Sequence, residues 1–261
     1  MLKPYIGICD FLSGSQALAM ARLLSAESHP LSLRQLMVGV MISRKTLNGI
    51  ESKWTAVWPP KEQLAGIFVQ HHRVFNTLHY ADDEGVDVLL NLMRATHFGG
   101  PNLNAVQLDM IWPDPDSLFI FGDARPDLKV ILQINSRAFA AVNDDPIKLR
   151  QRLETYSGAL DYVLLDKSMG RGLGLDAVGL LPYLRELHDR LPDLGLTVAG
   201  GLGPNTLDLI EPIVKEFPGV SIDAQGQLRS SGNALDPIDW GRAALYLKQA
   251  FKLFAGEVSI I

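Results

Sequence analysis

Short apolar runs alternate along the chain with longer stretches whose apolar residues recur at helical spacing. The runs are Tyr5 to Cys9, Leu36 to Ile42, Val74 to His79, Ala105 to Leu108, Leu128 to Ile134, Tyr162 to Leu165, Leu196 to Ala199 and Val220 to Ile222. Runs this short and this apolar predict strands covered on both faces. The stretches between them predict helices at about 15–27, 61–70, 86–96, 115–121, 146–156, 176–190, 205–217 and 237–253. In the sixth, Leu180, Leu181, Leu184, Leu187 and Leu191 share one face. The last has Asp236 in front of it as an expected N-cap. A long polar connection, Arg44 to Pro60, carries Trp54 and Trp58. These two either wall a substrate or pin the loop to the body.

Eight strand–helix units imply parallel strands joined by right-handed crossovers. An open doubly wound sheet would be large at this size, and no G-x-G-x-x-G opens the first unit. The expected fold is therefore a single (β/α)8 TIM barrel of the α/β class. The 261 residues match the roughly 250 that such a barrel uses, so residues 1–261 are read as one domain.

Composition changes this picture little. The formal net charge is -5 and no basic run stands out, so no nucleic-acid partner is expected. No stretch is apolar enough to span a bilayer, so no membrane partner is expected. The lone cysteine, Cys9, excludes an internal disulfide framework and suits a reducing compartment. With no secretory pattern at the N-terminus, a cytoplasmic location is expected. The chain reads as a monomer or homodimer.

In a barrel, polar residues at strand C-termini form the active face. Here they are Cys9 and Asp10, Ser43 and Arg44, His79 and Asp82, Gln107 and Asp109, Asn135, and Asp166 with Lys167. Polar loops explain many of them. Cys9 and Asp166 stand out because each directly follows an apolar strand core. After the seventh strand comes Gly200-Gly201-Leu202-Gly203-Pro204-Asn205. Glycines let a backbone approach a ligand closely, and a helix starting at Pro204-Asn205 would aim its N–H groups at a phosphate. Gln225-Gly226 after the eighth strand supplies a second donor loop. The alternative is that these glycines only make tight turns. The loop Lys167-Ser168-Met169-Gly170-Arg171-Gly172 has the glycine content of a lid. Cys9, His79, Asp82 and Asp109 lack the compact spacing of metal ligands. No metal and no cofactor is expected.

Several motifs carry a resemblance. Leu164-Leu165-Asp166-Lys167 with its glycine loop, Ala199-Gly200-Gly201-Leu202 with Pro204, Ile8-Cys9, and Val106-Gln107-Leu108 all fall in register. Together they resemble phosphoribosylanthranilate isomerase of tryptophan synthesis. The resemblance implies an Amadori rearrangement of a small phosphorylated aminosugar. Carried over, Asp166 would be the general acid that protonates the ring oxygen, and Cys9 the base that removes the C2′ proton. Asp166 would then need a raised pKa, from burial or from Asp10, Asp109 or Asp223, and Cys9 some thiolate character. Without the resemblance, Cys9 reads as a small buried hydrophobe and Asp166 as a loop cap. The chain has Gly7 where the family has Lys, Asp10 where it has Gly, Asp109 where it has His, and Asp223 within a longer eighth-strand motif. These acids need cationic partners, for which Arg44, Lys167 and Arg171 are candidates. Another phosphosugar epimerase or lyase, or a non-catalytic phosphometabolite-binding protein, fits the same residues.

Overall fold

The eight apolar runs form eight parallel strands that close on one another in chain order. The computed structural model describes residues 2–27, 34–168 and 174–255. The strands are β1 (Tyr5–Ile8), β2 (Gln35–Ser43), β3 (Val74–Ala81), β4 (Ala105–Asp109), β5 (Lys129–Asn135), β6 (Tyr162–Asp166), β7 (Gly195–Ala199) and β8 (Ser221–Ala224). Pairing of β8 with β1, with Gly7 opposite Asp223, completes the (β/α)8 barrel.

Alternation along each strand separates two cores. Ile6, Ile8, Val38, Val40, Leu78, Val106, Leu132, Val163, Val198 and Ile222 point outward into a large cluster shared with the helices. Each such buried aliphatic side chain contributes about 1.5–3 kcal/mol. Tyr5, Cys9, Met37, Phe75, Ile131, Tyr162 and Leu164 form a second cluster inside the barrel. The rings of Tyr5, Phe75 and Tyr162 meet at 5.5–6.0 Å between centroids. They fill the interior towards the N-terminal ends of the strands, while the cleft described below lies at the C-terminal ends.

The helices are α1 (Gly14–Glu27), α2 (Arg44–Leu47), α3 (Leu64–Ile67), α4 (Val88–Gly99), α5 (Pro115–Ala124), α6 (Ser136–Ala141), α7 (Pro146–Glu154), α8 (Ala177–Arg190), α9 (Glu211–Glu216) and α10 (Trp240–Ala255). Three differ from expectation. The helix expected over 61–70 is a 3-10 turn, Lys61–Gln63, followed by the single turn α3. It stops where Phe68 turns extended and buries its ring. The helix expected from Asn205 begins only at Leu207, as a 3-10 segment that runs into α9. Thr206 instead turns its hydroxyl onto the Gly201 carbonyl, at 2.7 Å. The last helix is capped by Asp239, not Asp236. Asp239 accepts from the N–H groups of Gly241 and Arg242 at 3.0 and 3.1 Å, whereas Asp236 accepts from the Ser231 hydroxyl. Trp54 and Trp58 stack on each other at 4.7 Å and do not line the barrel mouth. No helix among the described residues is long and apolar enough to cross a membrane.

Candidate active site

The inward positions at the upper ends of the strands are polar, because the barrel interior widens there to a mouth that reaches water. Cys9, His79, Gln133, Asp166, Ser168, Gly200, Gly201, Asp223, Gln225, Gly226 and Gln227 line one cleft, which encloses about 80 Å³. Roughly 300–1,000 Å³ is usual for a whole drug-sized ligand. The cleft is therefore small beside a whole ligand of that size.

Cys9 follows the last residue of β1 and is buried. Its Sγ lies 3.5 and 3.6 Å from the two carboxylate oxygens of Asp223 and 3.7 Å from His79 Nδ1. Glycines make room for this cluster. A Cβ on Gly39 would stand 2.7 Å from Cys9 Sγ, and one on Gly7 would strike the Asp223 carboxylate. Gly7, where the resembled family has Lys, is thus matched to Asp223 across the β1–β8 pair.

Burial sets the protonation states. It pushes the Cys9 thiol well above its ordinary value, and the negative charges of Asp223 and Asp10 push the same way. The thiolate character expected of Cys9 is therefore not favoured in the resting site. Burial also raises Asp223 to about 7, with Asp166 adding to the shift. His79 is lowered by burial, against the pull of Asp109, Asp10 and Asp166, so its imidazole is neutral near pH 7. Asp166 is held by Ser168, whose backbone N–H and hydroxyl both donate to Oδ1, at 2.9 and 2.8 Å.

The remaining expected residues divide between the network behind the cleft and other duties. Gln107 is fully buried behind His79 and donates to Gln133 Oε1 at 3.0 Å. Asp109 accepts from Asn135 at 3.1 Å, and Asn135 caps α6 through the N–H groups of Arg137 and Ala138. Arg44 pairs with Asp82 at 3.5 Å and with Glu84. Lys167 donates to the Tyr183 hydroxyl at 3.2 Å and stands over the Phe139 ring. Contrary to the expectation from the sequence, neither Arg44 nor Lys167 pairs with Asp10, and Arg171 lies outside the described residues. The partner of Asp10 is Arg229, at 2.5 Å, with both side chains buried. Arg229 also donates to the carbonyls of Asp236 and Gln225. Asp10 has φ +70°, a backbone shape that explains glycine at this position in the resembled motif.

The two loops expected to hold a phosphate are only partly arranged as expected. Gly200 and Gly201 have positive φ; these two, Gln225 and Gly226 line the cleft. Gly203 instead packs against Gln227, where a Cβ would meet Gln227 Cβ at 2.6 Å. Asn205 is exposed and outside the cleft. With the following segment delayed to Leu207, no helix N-terminus stands at Pro204-Asn205. Among the described residues no group of three or more His, Cys, Asp or Glu is placed to hold a metal.

Gln133, Ser168 and Arg229 were not singled out by the sequence. Gln133 was findable, because it shares the inward phase of Ile131 and Asn135 on β5. Arg229 sits in a loop with no periodicity, and nothing local marks it as the partner of Asp10.

No family model and no curated protein sequence matches this chain. Solved structures do. Phosphoribosyl anthranilate isomerase from Thermus thermophilus aligns with TM-score 0.59 and 16% identity over 94% of this chain and 98% of its own. TrpF from Jonesia denitrificans gives 0.55 and 16% over 97% and 98%. Active domain 2 of a chitinase from Pyrococcus furiosus gives 0.58 and 12% over 100% and 98%. An isomerase and a glycoside-cleaving enzyme fit equally well, so these likenesses establish the barrel and leave the reaction to the site.

Proposed function

We propose that this chain is an isomerase-class enzyme that moves a proton across a two-carbon unit of a phosphorylated sugar derivative. The observation that carries the reading is the contact of Cys9 with Asp223, with the Asp166 carboxyl lining the same cleft. The thiol is not a base by itself. With Asp223 within 3.5 Å, the Cys9 proton passes to that carboxylate as the sulfur takes one from substrate carbon. Asp166, oriented by Ser168, is the acid that protonates the departing oxygen. General acid–base catalysis of this kind supplies roughly 10²–10⁴-fold in rate. In the narrow form the substrate is a phosphoribosylated anthranilate and the reaction is an Amadori rearrangement. The phosphate would take backbone N–H groups of Gly200, Gly201 and Gly226, with the Gln225 loop beside them. Loss of anthranilate-type fluorescence on adding enzyme tests this form, and no loss at micromolar enzyme rejects it.

A different epimerase or lyase on the same scaffold is favoured by one observation. A Cβ on Gly200 would lie 2.8 Å from Asp166 Oδ1, so a carboxylate stands beside the expected phosphate loop. Exchange of substrate carbon-bound hydrogen for solvent deuterium, measured across pentose and hexose phosphates, separates the two. Exchange confined to a sugar phosphate without an aryl amine supports this second form.

A further inference from the structure

His79 belongs to no motif that suggested the isomerase, yet it lines the cleft with one ring nitrogen buried and unpartnered among the described residues. It is 5% exposed, lines the cleft and is held in β3 opposite Met41 and Gln107. Its Nδ1 faces the Gln107 amide nitrogen at 3.3 Å and Cys9 Sγ at 3.7 Å. With the Gln107 amide oriented by its bond to Gln133 Oε1 and the Cys9 thiol proton directed at Asp223, Nδ1 meets one donor, the Gln107 N–H, and acts as its acceptor. The ring proton is then on Nε2. Nε2 is buried and has no hydrogen-bond partner among the described residues. A buried donor left without an acceptor is costly. That cost is recovered when a ligand oxygen fills the position.

We infer that His79 is a substrate-binding catalytic residue, whose neutral imidazole donates from Nε2 to an oxygen on the two-carbon unit across which the proton moves. The inference rests on the proposed proton transfer for what the oxygen is attached to, but the donor itself is read from the packing. The substrate class it selects carries a hydroxyl or carbonyl oxygen next to the carbon from which Cys9 takes the proton. A neutral donor suits an oxygen that gains negative charge in the transition state, because it stabilises that charge without first surrendering a proton.

The test uses the full chain with ¹⁵N-labelled imidazoles, and ribulose 5-phosphate, ribose 5-phosphate and glycolaldehyde phosphate as probes. The expected free-state spectrum shows His79 neutral with the proton on Nε2 at pH 7. At least one probe should move the Nε2–H signal downfield and bind at least tenfold more weakly to His79→Phe. His79→Gln, which keeps an N–H donor, should recover part of the loss, and serves if the Phe variant does not fold. A proton on Nδ1, a charged ring at pH 7, or an Nε2–H signal unmoved by all three probes overturns the inference. If the signal moves but no probe exchanges hydrogen with solvent, the donor stands and the isomerase reading falls. If exchange occurs at the wild-type rate and affinity in His79→Phe, the isomerase reading stands and the donor falls.

Discussion

Cys9 Sγ and Asp223 Oδ2 lie 3.5 Å apart inside the barrel mouth, so a thiol and a carboxyl share one buried proton environment. Asp223 titrates near 7 when folded and near the ordinary carboxylate value when unfolded. Between those values the folded chain binds more protons, so stability falls as pH rises from roughly 4 to 7. The penalty is about 4 kcal/mol once the carboxyl is fully ionised. His79 works in the opposite sense below about 6.5, because burial keeps it neutral. Urea midpoints of the wild type and Asp223→Asn between pH 5 and 8 separate the two. The wild type should lose stability relative to the variant as pH rises. Parallel curves would show that Asp223 is not buried in this way.

The glycines beneath the cluster give a second prediction. A methyl group on Gly39 would stand 2.7 Å from Cys9 Sγ. Gly39→Ala should cost about 1–3 kcal/mol, as overpacking does, and should displace the thiol. Gly7→Ala should cost a similar amount, because its Cβ would strike Asp223 and stand 2.8 Å from the Met37 methyl. In an Asp223→Ala background the cost of Gly7→Ala should shrink, which a double-mutant cycle by denaturant unfolding measures directly. Additive costs would refute the proposed pairing of Gly7 with Asp223.

The Asp10–Arg229 pair gives a third. Both side chains are buried, and removing one partner of such a pair typically costs about 3–5 kcal/mol. Arg229→Ala should fall in that range. Asp10→Gly suits the positive φ at that position, so the double variant should be less destabilised than the sum of the singles. A sum of equal size would mean that the ion pair contributes no coupling.

The barrel was legible because its signal repeats. Each strand is an apolar run, and eight runs separated by helical spacing leave few topologies. Cys9, Asp166 and Asp223 were legible for a related reason, since each falls at or beside a strand end with inward phase. The short helices were not. Phe68 ends one helix by burying its ring, and Thr206 delays another by turning its hydroxyl back onto the Gly201 carbonyl; periodicity registers neither. The role of Asp10 was hidden as well. Its partner is 219 residues away in sequence, and the nearer cations, Arg44 and Lys167, are occupied by Glu84 and Tyr183.

Turnover by variants of the acid–base pair tests the central claim most directly. Phosphoribosylated anthranilate is added to the wild type, Cys9→Ala and Asp166→Asn, and the loss of anthranilate-type fluorescence is followed. The wild type should convert it, and each variant should be slower by about 100-fold or more, with folding confirmed by unchanged circular dichroism. Conversion by both variants at the wild-type rate would contradict the assignment of Cys9 and Asp166 as base and acid.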